Sequence, residues 1–303
     1  MNHSPYDVVV VGGSYAGMAA ALQLLRAHRT VLVIDAGRRR NQAASESHGF
    51  LGQDGVDPAE IARMAREQLH RYPTLTWIDG RVVSAGGSRD DFAISCEDGS
   101  LYRARRVLLA IGVSDELPPV PGLAQRWGTS VFHCPYCHGY ELDRGRIGVI
   151  AAGQESIHQA RLLLEWGEVT FLTNGLVELD ATMRQDLLAR GMAIESAAIA
   201  AIEGHSDVVL ADGRRIGFDG LFTAPRNKPS TPIAEQLGCE LVETPFGVQI
   251  GTGSDKQTSV QGVYACGDAA RVPHSVSLSV GDGAWAGMQL HQSLVSAPVR
   301  PAS

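Results

Sequence analysis

No run of apolar residues in this 303-residue chain approaches the ~18 that a membrane-crossing helix needs. Met1 to Asp7 carry no basic segment followed by an apolar stretch, so no export signal is read there and a cytoplasmic location is the default expectation. Basic charge is also short. Lys and Arg total 26 against 33 Asp and Glu, a formal net charge of -7, which gives no general attraction to phosphate backbones and sets nucleic acid aside as a partner. Cysteine is scarce and odd in number: of the five, Cys96, Cys239 and Cys266 stand alone, so the framework of an exported disulfide-rich protein is missing. Those three read as small buried side chains. What is present is the balance of a folded protein, 44% apolar and 19% charged, in a chain long enough for two domains that each bury a core.

Val8 to Val11 form an unbroken β-branched run ending in Gly12-Gly13, which predicts a buried strand over Tyr6 to Val11. A helix is expected from about Gly17 to Arg26 and a second buried strand from Thr30 to Ile34, together a βαβ unit. Asp57-Pro58-Ala59-Glu60 reads as a helix start, with Asp57 capping and Glu60 reaching back. The periodic pattern breaks at Pro118 to Gly122 and again at Ala224 to Pro229, two crossings between domains. Between them a second βαβ unit is expected: strand Arg146 to Ile150, helix Gln154 to Glu165, strand Glu168 to Leu172. The fold class is therefore α/β, with two Rossmann-like nucleotide-binding domains, the second inserted in the first. The outer domain takes residues 1-117 and 231-303, the central one 118-230.

A dinucleotide turn needs glycine where the chain bends, a small residue where the backbone meets the pyrophosphate, and a small residue where helix packs on strand. Gly12, Gly13, Ser14 and Gly17 supply these positions, Ser14 standing where glycine is usual and offering a hydroxyl. Asp35 closes the next strand, roughly 20 residues further on, where a carboxylate accepts ribose hydroxyls. Near the C-terminus, Gly267-Asp268 follows another short strand, placing an acid where it can take a ribityl hydroxyl of a flavin. His274 and Ser275, where a helix is expected to begin, are further cofactor-binding candidates. FAD is the cofactor these residues suit, and the outer domain is read as its site.

Cys134 and Cys137, two residues apart, can close a disulfide with little backbone movement, and either thiolate is a nucleophile in exchange. His138 follows directly. Imidazole changes charge near neutral pH, so His138 is read as the group that accepts or gives the protons of dithiol chemistry, with a loop-holding role as the bland alternative. His133, on the other flank, is read as structural. The string Cys134-Pro-Tyr-Cys137-His138 also fits c-type haem attachment, and the two histidines could be drawn as zinc ligands. Haem attachment needs an export route, and a zinc cluster leaves both nucleotide folds unexplained, so no metal is expected.

With Gly12-Gly13-Ser14-Tyr15-Ala16-Gly17, Ala110-Ile111-Gly112, the cysteine pair and Gly267-Asp268 in this order, the chain resembles the low-molecular-weight thioredoxin reductase family over nearly its whole length. Within it, Cys134-Pro135-Tyr136-Cys137-His138-Gly139-Tyr140-Glu141 is most similar to the dithiol oxidases that close disulfides in gliotoxin, holomycin and romidepsin-like metabolites, which carry histidine where thioredoxin reductases carry aspartate. The resemblance implies FAD contact at Gly112, a Cys137 next to the flavin, a Cys134 that exchanges with substrate, and a homodimer.

The inner βαβ turn reads Ala151-Ala152-Gly153-Gln154-Glu155-Ser156 and keeps only the middle glycine. Glu155 brings a carboxylate to the helix start, where a pyrophosphate would sit, and Thr173-Asn174 offer neither an acid for a ribose nor a basic cluster for a 2′-phosphate. Both features argue against NAD(P)H. The expected activity is thus an FAD-dependent dithiol oxidase acting on a small dithiol, with oxygen as acceptor. The alternatives are a thioredoxin-disulfide reductase-like enzyme acting on a protein disulfide with NAD(P)H or another donor, and a flavin-bearing redox sensor.

Overall fold

The computed structural model describes residues 5-296; Met1 to Ser4 and residues 297-303 lie outside the described residues. The chain forms two compact units. One comprises Met1–Arg40, Ala59–Ser114 and Lys228–Ser303, the other Asn41–Pro58 and Asp115–Asn227. The chain passes between them at Arg40, Pro58, Ser114 and Asn227, the third a few residues earlier than the proline cluster suggests. Asn41–Pro58 belongs by its contacts with the second unit, although the sequence places it in the outer domain.

In the first unit, β1 (Tyr6–Val11), α1 (Tyr15–Arg26) and β2 (Val31–Asp35) form the expected βαβ motif, with β1 and β2 parallel and Val8 in register with Val31. The helix starts two residues earlier than expected, because Ser14 and not Gly17 adopts the extended cap conformation. The two strands lie inside a seven-stranded sheet, flanked by Leu75–Asp79 beside β2 and Leu101–Leu109 beside β1. Val8, Val9 and Val10 are fully buried, as continuous β-branched runs in parallel strands covered on both faces must be.

α1 packs against the C-terminal helix, Val276–Val295, through missing side chains. A Cβ at Gly283 would overlap the Ala16 carbonyl oxygen, and one at Gly287 would lie 2.5 Å from that of Ala20. The same helix is tied to the sheet by Arg106, which is 0% exposed. Its guanidinium donates to Ser293 Oγ at 3.1 Å, to the Ser293 carbonyl at 3.0 Å and to Asp90 at 2.8 Å, so the buried charge is paired and its donors are occupied.

The second unit centres on a five-stranded parallel sheet in the order Ala193–Glu195, Glu168–Leu172, Arg146–Ile150, Gly220–Thr223, Val131–Phe132. Its crossover helix runs Glu155–Leu163, one residue later at the start and two earlier at the end than expected. A three-stranded antiparallel sheet, Ile199–Glu203 to Arg215–Gly217, completes it. Elsewhere the helix predicted at Pro58 begins there and ends at Leu69. The Glu60 carboxylate pairs with Arg63, one turn on, at 2.6 Å.

Gly283→Ala is expected to lower stability by about 1-3 kcal/mol, overpacking outweighing the gain of about 1 kcal/mol in helix propensity. Gly281→Ala, in the same helix with nothing within 4 Å of the added methyl, should raise it. Thermal melting of both variants checks the pair; an equal response would remove the close helix approach as a source of strain.

Candidate active site

The first glycine turn is shaped by close approaches. Gly12 has φ of 102°, a conformation L side chains rarely adopt, and an added Cβ would overlap the Ala110 carbonyl oxygen. At Gly13 a Cβ would come within 2.7 Å of Asp35 Cβ, and at Gly17 it would overlap the Gly12 carbonyl oxygen. Gly12 and Gly17 are thus required by neighbouring backbone, and Gly13 by the Asp35 and Trp77 side chains packed against it. The Gly13 amide donates to Asp35 Oδ1 at 3.1 Å, holding the acid at the mouth of the turn. Ser14 caps α1 by its backbone alone, its hydroxyl making no cap bond, at the positive end of the helix dipole. Gly112 has φ of 65° with nothing within 4 Å of its Cβ position.

Gly267–Ala270 is a short 3-10 turn, and a Cβ at Gly267 would lie 2.7 Å from Ala16 Cβ, which brings this turn against the start of α1. Asp268 Oδ1 accepts from Ser279 Oγ at 2.8 Å, and Oδ2 lies 3.4 Å from Arg40 Nη1. A carboxylate has about four acceptor positions, so capacity for a hydroxyl remains. The same Arg40 nitrogen is 2.8 Å from His274 Nδ1. The C-terminal helix begins at Val276 rather than at His274, because Ser275 is its cap: the Ser275 hydroxyl accepts from the Leu278 amide at 3.1 Å. Nearby, Asp282 accepts from the Gly267 amide at 2.9 Å and pairs with Lys256 at 2.8 Å. Gly12, Gly13, Ser14, Gly17, Asp35, Gly112, Gly267, Asp268, His274 and Ser275 all lie in the first unit. A tight glycine turn, a helix start directly after it and two acids suit a dinucleotide.

Cys134 and Cys137 lie in the second unit and are joined as a disulfide, their Cα atoms 5.3 Å apart. Cys134 is the extended cap of a one-turn helix, Pro135–His138; Pro135 needs no amide partner there, and the Cys137 amide donates to the Cys134 carbonyl at 3.2 Å. Trp166, invisible as a functional residue in the sequence, supports this turn. Its ring would be 2.6 Å from a Cβ at Gly139 and meets Tyr136 edge-on at 5.2 Å. Tyr136 itself stands 70% exposed between the two cysteines.

His138 stacks on Phe132, ring centroids 4.3 Å apart. Burial, with a smaller contribution from nearby His48, lowers its pKa from 6.5 to about 4. The expectation that it titrates near neutrality is therefore corrected: desolvation disfavours the imidazolium, so the ring is a neutral proton acceptor throughout the neutral range. His48 lies 3.4 Å from both Glu46 and Glu141 and 3.6 Å from Asp54. His133 keeps a structural place, its carbonyl accepting from Gln159 at 2.7 Å. Burial raises the thiol pKa of Cys96, Cys239 and Cys266, which are all buried and free. Among the described residues no group of three or more His, Cys, Asp or Glu could hold a metal, and no helix is long and apolar enough to cross a membrane.

The inner nucleotide turn is filled from within. The fully buried Ser156 hydroxyl accepts from the Ala152 amide at 2.9 Å, taking a donor that a phosphate would need. Asn174 Oδ1 accepts from the Ile199 amide at 2.7 Å, so the end of the second strand is also engaged locally. Glu155 stands in the first turn of the helix, as expected.

The model of the family described as pyridine nucleotide-disulphide oxidoreductase matches residues 6–283. The chain is 31% identical to thioredoxin reductase tcpT of Claviceps purpurea (strain 20.1), over 96% of this chain and 94% of that one. Among solved structures it is similar to an oxidoreductase from Agrobacterium tumefaciens, with 54% identity, a TM-score of 0.94 and coverage of 96% and 99% of the two chains. It is likewise similar to HlmI, with 33% identity, a TM-score of 0.89 and coverage of 97% and 94%.

Because the folded pKa of His138 lies below the ordinary 6.5, its neutral form supports the fold fully above that pH, and the support is lost as pH falls toward about 4. Urea unfolding of wild type should therefore show a stability loss on the order of 3 kcal/mol across this window. In His138→Gln, which cannot titrate, that part of the slope should vanish. Parallel slopes in the two proteins would remove the buried neutral imidazole.

Proposed function

Since this chain belongs to the pyridine nucleotide-disulphide oxidoreductase family, we propose that it is an FAD-dependent dithiol oxidase, forming a disulfide in a small substrate at Cys134 and Cys137. The observation that carries the reading is the inner turn, where Ser156 occupies the Ala152 amide and so removes a phosphate donor. A hydride donor thus lacks a made site, while the disulfide that accepts electrons is formed. The first unit is the flavin domain, with pyrophosphate on the Gly12 to Gly17 turn, ribose on Asp35 and ribityl on Asp268. A homodimer is the assembly the family resemblance supports.

The exchange is written on the chain's own sulfurs. A substrate thiolate attacks Cys134 Sγ, forming a mixed disulfide and releasing Cys137 as thiolate. The second substrate thiol then attacks its own sulfur in that bond, giving substrate disulfide and a reduced Cys134. Two electrons thereby move onto the cysteine pair as the substrate sheds two protons, and His138, next to Cys137 in the sequence, is the residue assigned to take one. When bound, FAD supplies the two-electron sink that restores the disulfide, with oxygen as final acceptor and hydrogen peroxide as product. Tyr136, exposed between the cysteines, gives an apolar substrate a face to lie against.

A second reading reverses the electron flow. The name of the Claviceps purpurea relative, thioredoxin reductase, favours it; it requires NAD(P)H or another donor to reduce the pair, which then reduces a protein disulfide.

Cys134→Ser and Cys137→Ser should each abolish dithiol turnover while FAD stays bound, because neither sulfur belongs to the glycine turn. Oxygen consumption and flavin absorbance check this, and near-normal turnover in either variant would rule out the disulfide mechanism.

Anaerobic stopped-flow absorbance separates the two readings. A small dithiol is expected to bleach the flavin at least ~100-fold faster than NADPH, the scale on which a lost binding constellation costs rate. Fast bleaching by micromolar NADPH would establish the reductase reading.

A further inference from the structure

Arg40 joins two residues of the cofactor cradle that are 228 and 234 positions away in sequence. Its Nη1 lies 3.4 Å from Asp268 Oδ2 and 2.8 Å from His274 Nδ1. A guanidinium carries five N–H donors and no lone pair, and stays protonated at every working pH. At 2.8 Å the contact is a hydrogen bond only if His274 Nδ1 offers a lone pair. An imidazolium has protons on both nitrogens and offers none, so the His274 ring must be neutral and must carry its proton on Nε2. The chain fixes both the charge and the tautomer of this histidine without a ligand.

The neighbourhood reinforces the assignment. Asp268 is held from its other side by Ser279 at 2.8 Å, so the carboxylate cannot swing toward His274 to offer Nδ1 an acceptor in place of a donor. Ser275, the next residue along, is the cap of the C-terminal helix, which anchors the backbone from which the ring projects. Arg271 and Lys256 both engage Asp282.

We propose that Arg40 is a positioning residue of the cofactor cradle, which locks His274 as the neutral Nε2–H donor and holds Asp268 in place beside it. The role rests on the reading above that Asp268 and His274 face the flavin. The ligand chemistry His274 can then serve is a hydrogen-bond acceptor, such as a ring carbonyl or ring nitrogen of a flavin. It supplies a directed N–H and no formal charge.

The test uses full-length protein labelled with 15N-histidine, with His274→Gln to assign the signal. In wild type the His274 nitrogens should show the Nε2–H pattern unchanged across about pH 5 to 8. In Arg40→Met, which keeps the apolar stem, the same signal should titrate or show mixed tautomers within that range. FAD affinity, read from fluorescence on reconstituting apoprotein, should weaken ~10-fold, the scale of one charge-assisted hydrogen bond. An unchanged His274 spectrum in Arg40→Met, with unchanged FAD affinity, overturns the proposal. Should Arg40→Met melt below the assay temperature, Arg40→Lys serves: a point charge cannot span both partners, so His274 should still titrate. Wild type that refuses FAD while His274 stays locked would sink the cradle reading, and with it the part Arg40 plays there, yet leave the tautomer assignment standing.

Discussion

The approach of one helix backbone to another sets the geometry of the outer unit. α1 and the C-terminal helix touch where Gly283 and Gly287 leave room for the carbonyls of Ala16 and Ala20. Gly17 performs the same service for Gly12 one layer down, and Gly267 for Ala16. Four absent side chains therefore bring the glycine turn, the Asp268 turn and the helix carrying Ser279 into one corner. A methyl group at any of them would have to move main chain, and main chain in a packed interior moves as a block. The cofactor residues are placed by this crowding before any polar contact refines them.

The two units handle charge in opposite ways. Around the C-terminal helix start, Arg40, Lys256 and Arg271 are set against Asp268 and Asp282 as ion pairs. At the redox turn, His138 is stacked on Phe132 and kept neutral by burial. The first arrangement suits a ligand with fixed polar anchors. The second keeps an uncharged imidazole in the redox turn, and the lowered pKa makes it a weaker base than a free histidine.

Much of this was legible in the sequence because it rests on local rules. β-branched runs give buried strands, glycines give the turn, and a two-residue spacing allows Cys134 and Cys137 to meet. What escaped depends on distance along the chain. Arg40 has no motif and acquires its role only by meeting residues more than 200 positions away. Trp166 looks like a core aromatic until Gly139 is found against it. Neutral pH titration of His138 was the natural expectation for an imidazole beside a cysteine, and the stacking of Phe132 with the burial it brings reversed it. Ser156 was read as a lost glycine; its hydroxyl turned out to close the turn from inside.

Arg106 ties the first unit's sheet to its last helix. Its guanidinium is buried, and two of its acceptors belong to Ser293, a sequence separation of 187. Until that residue has been made, the guanidinium lacks two of the partners that satisfy it in the finished fold. The strands of the second unit's parallel sheet, all within Asp115–Asn227, are by then already synthesised. The last turns of the C-terminal helix therefore complete the polar balance of a strand laid down in the first half of the chain.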